Sequence, residues 1–355
     1  MFKQNYNVIG VMSGTSLDGV DLAYIKFIKN GQWNFEILET STVPYTENWL
    51  AALKRAVNFS AFELGVLDND YTLLLAQIIK NFIEEKKIKN IDAICSHGHT
   101  ILHKPHLGYT FQIGNLPIIA KLTNQTVVCD FRVQDVELGG QGAPLVPIGD
   151  KLLFSEHDYC LNLGGFSNIS FDTDGKRIAF DISPVNTVLN FYANVLGFPY
   201  DDKGTNSKSG KLNNDLLEKL NNISFYKLPY PKSLGIEFVN EHIFPLIDSF
   251  EIPTVDKMKT FVEHIAIQIS RVVDKENSSL LITGGGVYND FLIDCIRKHL
   301  SETKIVIPDE KTIEFKEALI FAFLGVLKLR NEVNVLSTVT GASKNHSSGK
   351  IYMKA

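Results

Sequence analysis

The sequence predicts an α/β protein of two domains, on three observations. Apolar strand-like runs alternate with amphipathic helical stretches along the whole chain. Two strand–turn–strand units of the same design stand about 150 residues apart, which suggests a duplicated fold. At 355 residues, the chain is longer than one ordinary core organises.

The first unit is a hairpin in which NVIGVM forms a strand, SGTSLDG a turn dense in Gly, Ser and Asp, and VDLAYIKFI the returning strand. Asn30 and Gly31 make the next turn. Helical periodicity follows in ENWLAALKRAV and from Tyr71 to Lys87, where Leu74, Ile78 and Phe82 mark an apolar stripe. IDAICSHG then reads as a buried strand ending in glycine. The second unit runs DYCLNLGGFSNISFD, turns at DTDGK and returns as RIAFD. Asp181 closes that strand, and Pro184 falls in the first turn of a helix over TVLNFYANVL. Residues 200–214 are polar and glycine-punctuated, as in a surface loop or lid. SLLITGGGVYNDFLIDCIRKHL reads as strand, three glycines and helix.

Composition narrows the function classes. Apolar residues make up 45% and charged residues 21%, the balance of a folded globular protein. A net charge of −5 offers no broad footprint for nucleic acid. Residues 318–327 form the most apolar stretch, about half a bilayer span, so no membrane segment is expected. The N-terminus lacks the layout of a secretion signal, which points to a cytoplasmic protein. Cys95, Cys129, Cys160 and Cys295 are far apart, consistent with reduced, buried thiols.

Several segments carry possible chemistry. Residues 13–21, SGTSLDGVD, bring two glycines, three hydroxyls and two carboxylates into one turn. Glycines let backbone N–H groups approach an anion and a carboxylate can hold Mg²⁺ through water, so the turn suits a polyphosphate. It is equally an ordinary hairpin turn by composition, and it is not a Walker loop. Thr283 and Gly284 to Gly286 lie where backbone could pass close to a ring or phosphate. Asp181 reads either as a ligand-facing carboxylate at a strand end or as a helix N-cap. Glu317 is a lone charge beside an apolar helix face, otherwise a solvated first-turn glutamate. His97 and His99 could share a strand face as metal ligands, although no further ligand set is evident. Arg132 is either an anion clamp or a salt-bridged loop residue.

GVMSGTSLDGVD, SHGHT, FQIGNLPIIAKLT, VVCDFRVQD, GGQGAPLVP, LNLGGFSN, YPKSLG, TGGGVYN, EALIFAFLG and VTGA occur in this order over nearly the whole chain. In this the sequence resembles the anhydro-N-acetylmuramic acid kinase family. The resemblance implies the two-domain actin-like ATPase fold, ribonuclease H-like in each half, with a central cleft for ATP. It assigns residues 1–130 and about 331–355 to one domain and residues 131–330 to the other.

The implied reaction opens the 1,6-anhydro bridge of anhydro-N-acetylmuramic acid and phosphorylates it, with ATP and Mg²⁺, the metal near Asp18. Gly14, Thr15, Ser16, Leu17, Asp18, Gly19, Val20 and Asp21 would wrap the phosphates, with Gly164 and Gly165 in the second phosphate hairpin. Gly284, Gly285 and Gly286 would lie near adenosine. Asp181 matches the family's general base, and Glu317, Arg132 and His97 fall in the sugar pocket. A homodimer is what the family suggests.

The chain departs from the usual DTGPGN at DISPVN, where Val185 replaces a glycine and would forbid easy positive φ. It also carries Ile236 where arginine is common. A kinase for another anhydrosugar such as levoglucosan, or a catalytically silent sensor, are the alternatives.

Overall fold

A computed structural model describes residues 2–354 except Thr15 and Ser16. The chain forms two compact units, Met1–Leu153 with Phe315–Ala355, and Phe154–Glu314. Strands of the first unit are β1 (Asn5–Ser13), β2 (Val20–Asn30), β3 (Gln32–Val43), β4 (Ala93–Lys104), β5 (Tyr109–Ile113) and β6 (Val127–Cys129). The second unit has β7 (Tyr159–Leu163), β8 (Phe166–Thr173), β9 (Lys176–Pro184), β10 (Ser279–Thr283) and β11 (Lys304–Val306), and β12 (Lys350–Tyr352) returns to the first.

The two sheets repeat one topology. In the first, the order is β12-β6-β4-β1-β2-β3, with β5 also on β4; in the second it is β11-β10-β7-β8-β9. Each unit opens with an antiparallel three-strand meander whose first strand then pairs in parallel with a later one. A further strand continues the parallel half of each sheet. The turn residues make the meanders. Gly31 takes φ 72° between β2 and β3; between β8 and β9, Asp174 and Gly175 take φ 50° and 74°, positive φ at both central positions of that tight twisted hairpin.

Helices cover the sheets where the apolar periodicity placed them. The helix Ala61–Glu85 starts ten residues before the expected stripe because Ser60 and Glu63 form a reciprocal capping box. In the first unit the helix Glu310–Leu329 packs closely on β1. A Cβ on Gly10 would stand 2.1 Å from the Ala318 carbonyl oxygen, and one on Gly325 would stand 2.2 Å from Cys95 Sγ. The apolar run over 318–327 is therefore a core segment, and no helix among the described residues is long and apolar enough to cross a membrane. All four cysteines are free and buried.

The unit boundaries fall at 153/154 and 314/315, not near 130 and 330. Long-range packing decides this. Arg132 bonds His97, Asp135 accepts from Thr340, and Gly149 lies against Ile320. The break in the helix Glu310–Leu329 at Phe315 (φ −110°, ψ 18°) marks the second boundary.

The segment 200–214 is also more ordered than a loop. Asp201, 6% exposed, accepts from the amides of Asn206 and Ser207 and from the Ser207 hydroxyl, fixing a short helix Thr205–Ser209. Gly204 fits against Asn289, where a Cβ would stand 2.1 Å from Oδ1.

Candidate active site

The first glycine turn joins β1 to β2 in the register expected of a hairpin, Met12 opposite Asp21. Thr15 and Ser16 lie outside the described residues; the flanking ones are Gly14, Leu17, Asp18, Gly19, Val20 and Asp21. Leu17 adopts φ 64° and donates to the Gly14 carbonyl at 3.3 Å. A Cβ at Gly19 would stand 2.4 Å from the Val43 carbonyl oxygen, so only glycine lets the turn close against β3. Asp18 is exposed, and Asp21 accepts from the Thr42 hydroxyl at 2.6 Å.

Beneath the turn lies a buried chain that the sequence did not reveal. Ser13 Oγ is 2.8 Å from His99 Nδ1 and 2.6 Å from the Tyr45 hydroxyl, which is 2.5 Å from that of Tyr71. Burial lowers the His99 pKa to about 4, so the ring is neutral at physiological pH and its Nδ1 can accept from Ser13. The Ser13 hydroxyl is thereby engaged by protein.

The second unit gathers three of the predicted features at one end of its sheet. Gly164 and Gly165 turn β7 into β8, and their carbonyls accept from Val185, Asn186 and Thr187 at the start of the helix Asn186–Val195. The glycines of the third loop have different duties. A Cβ on Gly284 (φ 85°) would stand 2.6 Å from Asn162 Oδ1, and one on Gly286 would stand 2.6 Å from Leu163 Cβ. Gly285 alone of the three is exposed, with nothing within 4 Å of its Cβ position.

Asp181 is the third feature, within β9 rather than at its end. Asn168 pairs with Asp181 and Ser167 with Ser183, so Ile182 is an extra residue that bulges the strand just beyond the carboxylate. The helix then starts at Asn186, after Pro184, with Val185 in the cap position. Asp181 is not the N-cap, and Pro184 is not in the first helical turn. Val185 takes φ −131°, so this backbone does not require the positive φ that glycine would permit; its side chain enters the core. Ser183 is buried against Ser167, Oγ to Oγ 3.0 Å.

Asp181 is half-buried, and Oδ2 accepts from the Leu234 amide at 2.8 Å. Among the described residues this is the one hydrogen bond to its carboxylate, so Oδ1 remains available. Burial raises its pKa, and the Leu234 N–H opposes that rise.

Three more predicted residues come together in the first unit. Arg132 Nε donates to His97 Nε2 at 2.8 Å and Nη1 to the Gly142 carbonyl at 2.7 Å, and the guanidinium lies 5.6 Å from the centre of the Phe321 ring. His97 Nδ1 is 2.9 Å from the Gly98 carbonyl. With Nδ1 donating there and Nε2 accepting from Arg132, the ring is held as one neutral tautomer. Burial, then the Arg132 charge, pushes its pKa well down.

Among the described residues Arg132 forms no ion pair. It feels the charge of Glu317, while burial lowers its own pKa to about 10. Glu317 is solvent-accessible in the helix Glu310–Leu329, just past its break at Phe315. Crowding by protein raises its pKa, Arg132 lowers it and Asp21 raises it further. The neighbouring Lys316 forms a buried ion pair with Asp150 at 2.9 Å.

The GGQG loop is built around Asp135, whose carboxylate accepts from the Gly142 amide and the Thr340 hydroxyl, each at 2.7 Å. A Cβ on Gly140 would stand 2.2 Å from that carboxylate. His97 and His99 thus have separate partners, and no trio of His, Cys, Asp and Glu suited to a metal occurs among the described residues.

A meander-first sheet repeated in two units, each with a glycine turn after its first strand, is the architecture of the two-domain class of sugar kinases, hsp70 and actin. Within that class the chain belongs to the anhydro-N-acetylmuramic acid kinase family, whose sequence model matches residues 6–354. The anhydro-N-acetylmuramic acid kinase of Pseudomonas syringae pv. syringae (strain B728a) is 35% identical over 364 residues, covering 97% of this chain and 98% of that one. That of Mannheimia succiniciproducens is 35% identical over 381 residues and covers 100% of both. Among solved structures, component A of the (R)-2-hydroxyglutaryl-CoA dehydratase of Acidaminococcus fermentans aligns with a TM-score of 0.47. It is 14% identical, with 92% of this chain and 99% of that one covered.

Proposed function

We propose that the chain is an anhydro-N-acetylmuramic acid kinase of cell-wall recycling, using ATP and water to give N-acetylmuramic acid 6-phosphate and ADP. The observation that carries the reading is Asp181: a half-buried carboxylate, oriented by one amide and with Oδ1 unengaged, in a chain matched to the family from end to end.

An acetal carbon reacts slowly with neutral water, so a base must take a proton as the water oxygen bonds to C1. Asp181 accepts that proton. The bond from C1 to the bridge oxygen breaks, and that oxygen keeps the electron pair and attacks the γ-phosphorus in line, with ADP leaving. The phosphoryl group takes the place of the proton that a glycosidase acid would give.

Gly14, Leu17, Asp18, Gly19, Val20 and Asp21, with Thr15 and Ser16 between them, are assigned to the phosphates, as are Gly164 and Gly165. Gly285 is the position where adenosine can approach the backbone, Gly284 and Gly286 being committed to packing. Asp18, exposed in the turn, is the carboxylate that would face a Mg²⁺ ion carried with the nucleotide, which when bound would neutralise phosphate charge.

Arg132 favours this sugar over levoglucosan. Its Nη2 end has no protein hydrogen bond among the described residues, and the muramic lactyl carboxylate supplies an anion that levoglucosan lacks. His97 holds the guanidinium in place, and Glu317 accepts from sugar hydroxyls.

The test is ADP release with each sugar, with the product analysed by mass spectrometry in H₂¹⁸O. The reading expects ADP and sugar phosphate in equal amounts with the anhydromuramic substrate, and no solvent oxygen in the phosphate. ADP formed without sugar phosphate, a preference for levoglucosan, or binding without ADP would overturn it.

A further inference from the structure

Among the described residues β9 is the last strand of its sheet, and its outer edge has no partner strand. At Asp181 that edge is nevertheless covered. The Asp181 amide donates to the Lys232 carbonyl at 3.0 Å, and the Leu234 amide donates to Asp181 Oδ2 at 2.8 Å. The two partners are two residues apart, the spacing of residues on one side of an extended strand.

The segment is anchored on either side of these bonds. The Tyr230 ring stacks on Phe180, 5.3 Å between centroids and 9° between planes. Lys232 Nζ donates to the Phe225 carbonyl at 3.2 Å and lies 4.8 Å from the centre of the Phe225 ring. That ammonium is held by the rings and forms no ion pair with Asp181. Glu237 turns back on Gly235, where a Cβ would stand 2.4 Å from Oε2. From β8 the residue opposite Asp181 is the neutral Asn168.

We propose that residues 230–235 are a positioning strap for the base: the Leu234 N–H fixes Oδ2 and leaves Oδ1 as the atom that takes the proton from water. This rests on the reading of Asp181 as the general base. Leu234 is a positioning residue that acts through its backbone, so its side chain is not required. The N–H favours the ionised carboxylate, and removing it should raise the pH at which the base becomes active.

The full chain tests this in two ways. In amide NMR of the ¹⁵N-labelled protein, the Leu234 proton should shift in one titration step as Asp181 ionises, and the step should vanish in Asp181→Asn. A Leu234 resonance that does not respond would overturn the strap whether or not any sugar is turned over, so its failure is separable from failure of the kinase reading. In turnover, Leu234→Pro, which has no N–H, should move the acid limb of kcat upward by roughly half to one pH unit with KM for ATP unchanged. Leu234→Ala should leave the limb in place. Equal behaviour of the two variants would overturn the proposal, and if the proline variant fails to fold, the NMR titration decides alone.

Discussion

Two influences act in opposition on Asp181, and burial, which raises its pKa, exceeds the Leu234 hydrogen bond, which lowers it. A base works only when ionised, so kcat should fall as pH drops through this raised pKa, with a midpoint above the ordinary value of roughly 4. A pH profile of kcat with saturating substrates checks this; an acid limb at or below the ordinary value would contradict the burial seen here. Asp181→Asn keeps the shape but cannot accept the proton, so kcat should drop by about 10²–10⁴-fold with ATP affinity retained. At Arg132 the expectation is different in kind. Arg132→Gln removes the charge proposed to pair with a sugar carboxylate, so KM for the anhydromuramic substrate should rise by about tenfold or more while KM for ATP holds. If both constants move together, the arginine supports the fold and not the sugar. Arg132 could be singled out in the sequence because it sits in a long motif, and Asp181 because it closes the RIAFD strand just ahead of a proline. The contacts of Leu234, although it lies in YPKSLG, and of Tyr45 could not be read there, since a backbone donor leaves no residue-type signal and a buried tyrosine looks like core.

At the level of elements, the hairpins were the most legible part. Asn30-Gly31 and Asp174-Gly175 specify tight turns from two adjacent residues, so β2–β3 and β8–β9 could be read without knowing anything distant. The short helix Thr205–Ser209 escaped notice because its order comes from the buried Asp201 side chain and from Asn289 far along the chain. The bulge at Ile182 was hidden for a similar reason: a pairing register is a property of two strands, and only one was in view. The close packing of the helix Glu310–Leu329 on β1 belongs to the same category, and it gives a direct test. Gly10→Ala would place a methyl group against the Ala318 carbonyl, with neither backbone free to retreat from a buried sheet and helix. The cost of such overpacking is about 1–3 kcal/mol, read as a lower denaturant midpoint. Gly31→Ala, at an open turn position with φ 72°, should cost less, from backbone strain alone.

For the molecule as a whole, the repeated topology hides an asymmetry in how the chain builds each unit. The second is one continuous segment, 154–314, and its hydrophobic cluster, from Tyr159 to Ile313, comes entirely from within it. The first is discontinuous. It needs the helix over 318–327 to cover β1 and β4, β12 to pair with β6, and Thr340 to bond Asp135. Removing residues 315–355 would leave the sheet face at Gly10 uncovered and the Asp135 carboxylate short of a buried partner, a cost no local rearrangement offsets. The second unit should therefore fold alone and the first should not. Expressed as residues 154–314, the chain should show a cooperative thermal transition and a near-ultraviolet dichroism spectrum, the signs of fixed side-chain packing. Expressed as residues 1–314, it should show that same transition and no second one. A noncooperative 154–314 segment would mean that its core is stabilised from outside, and a second transition in 1–314 would mean that the first unit closes without its C-terminal helix.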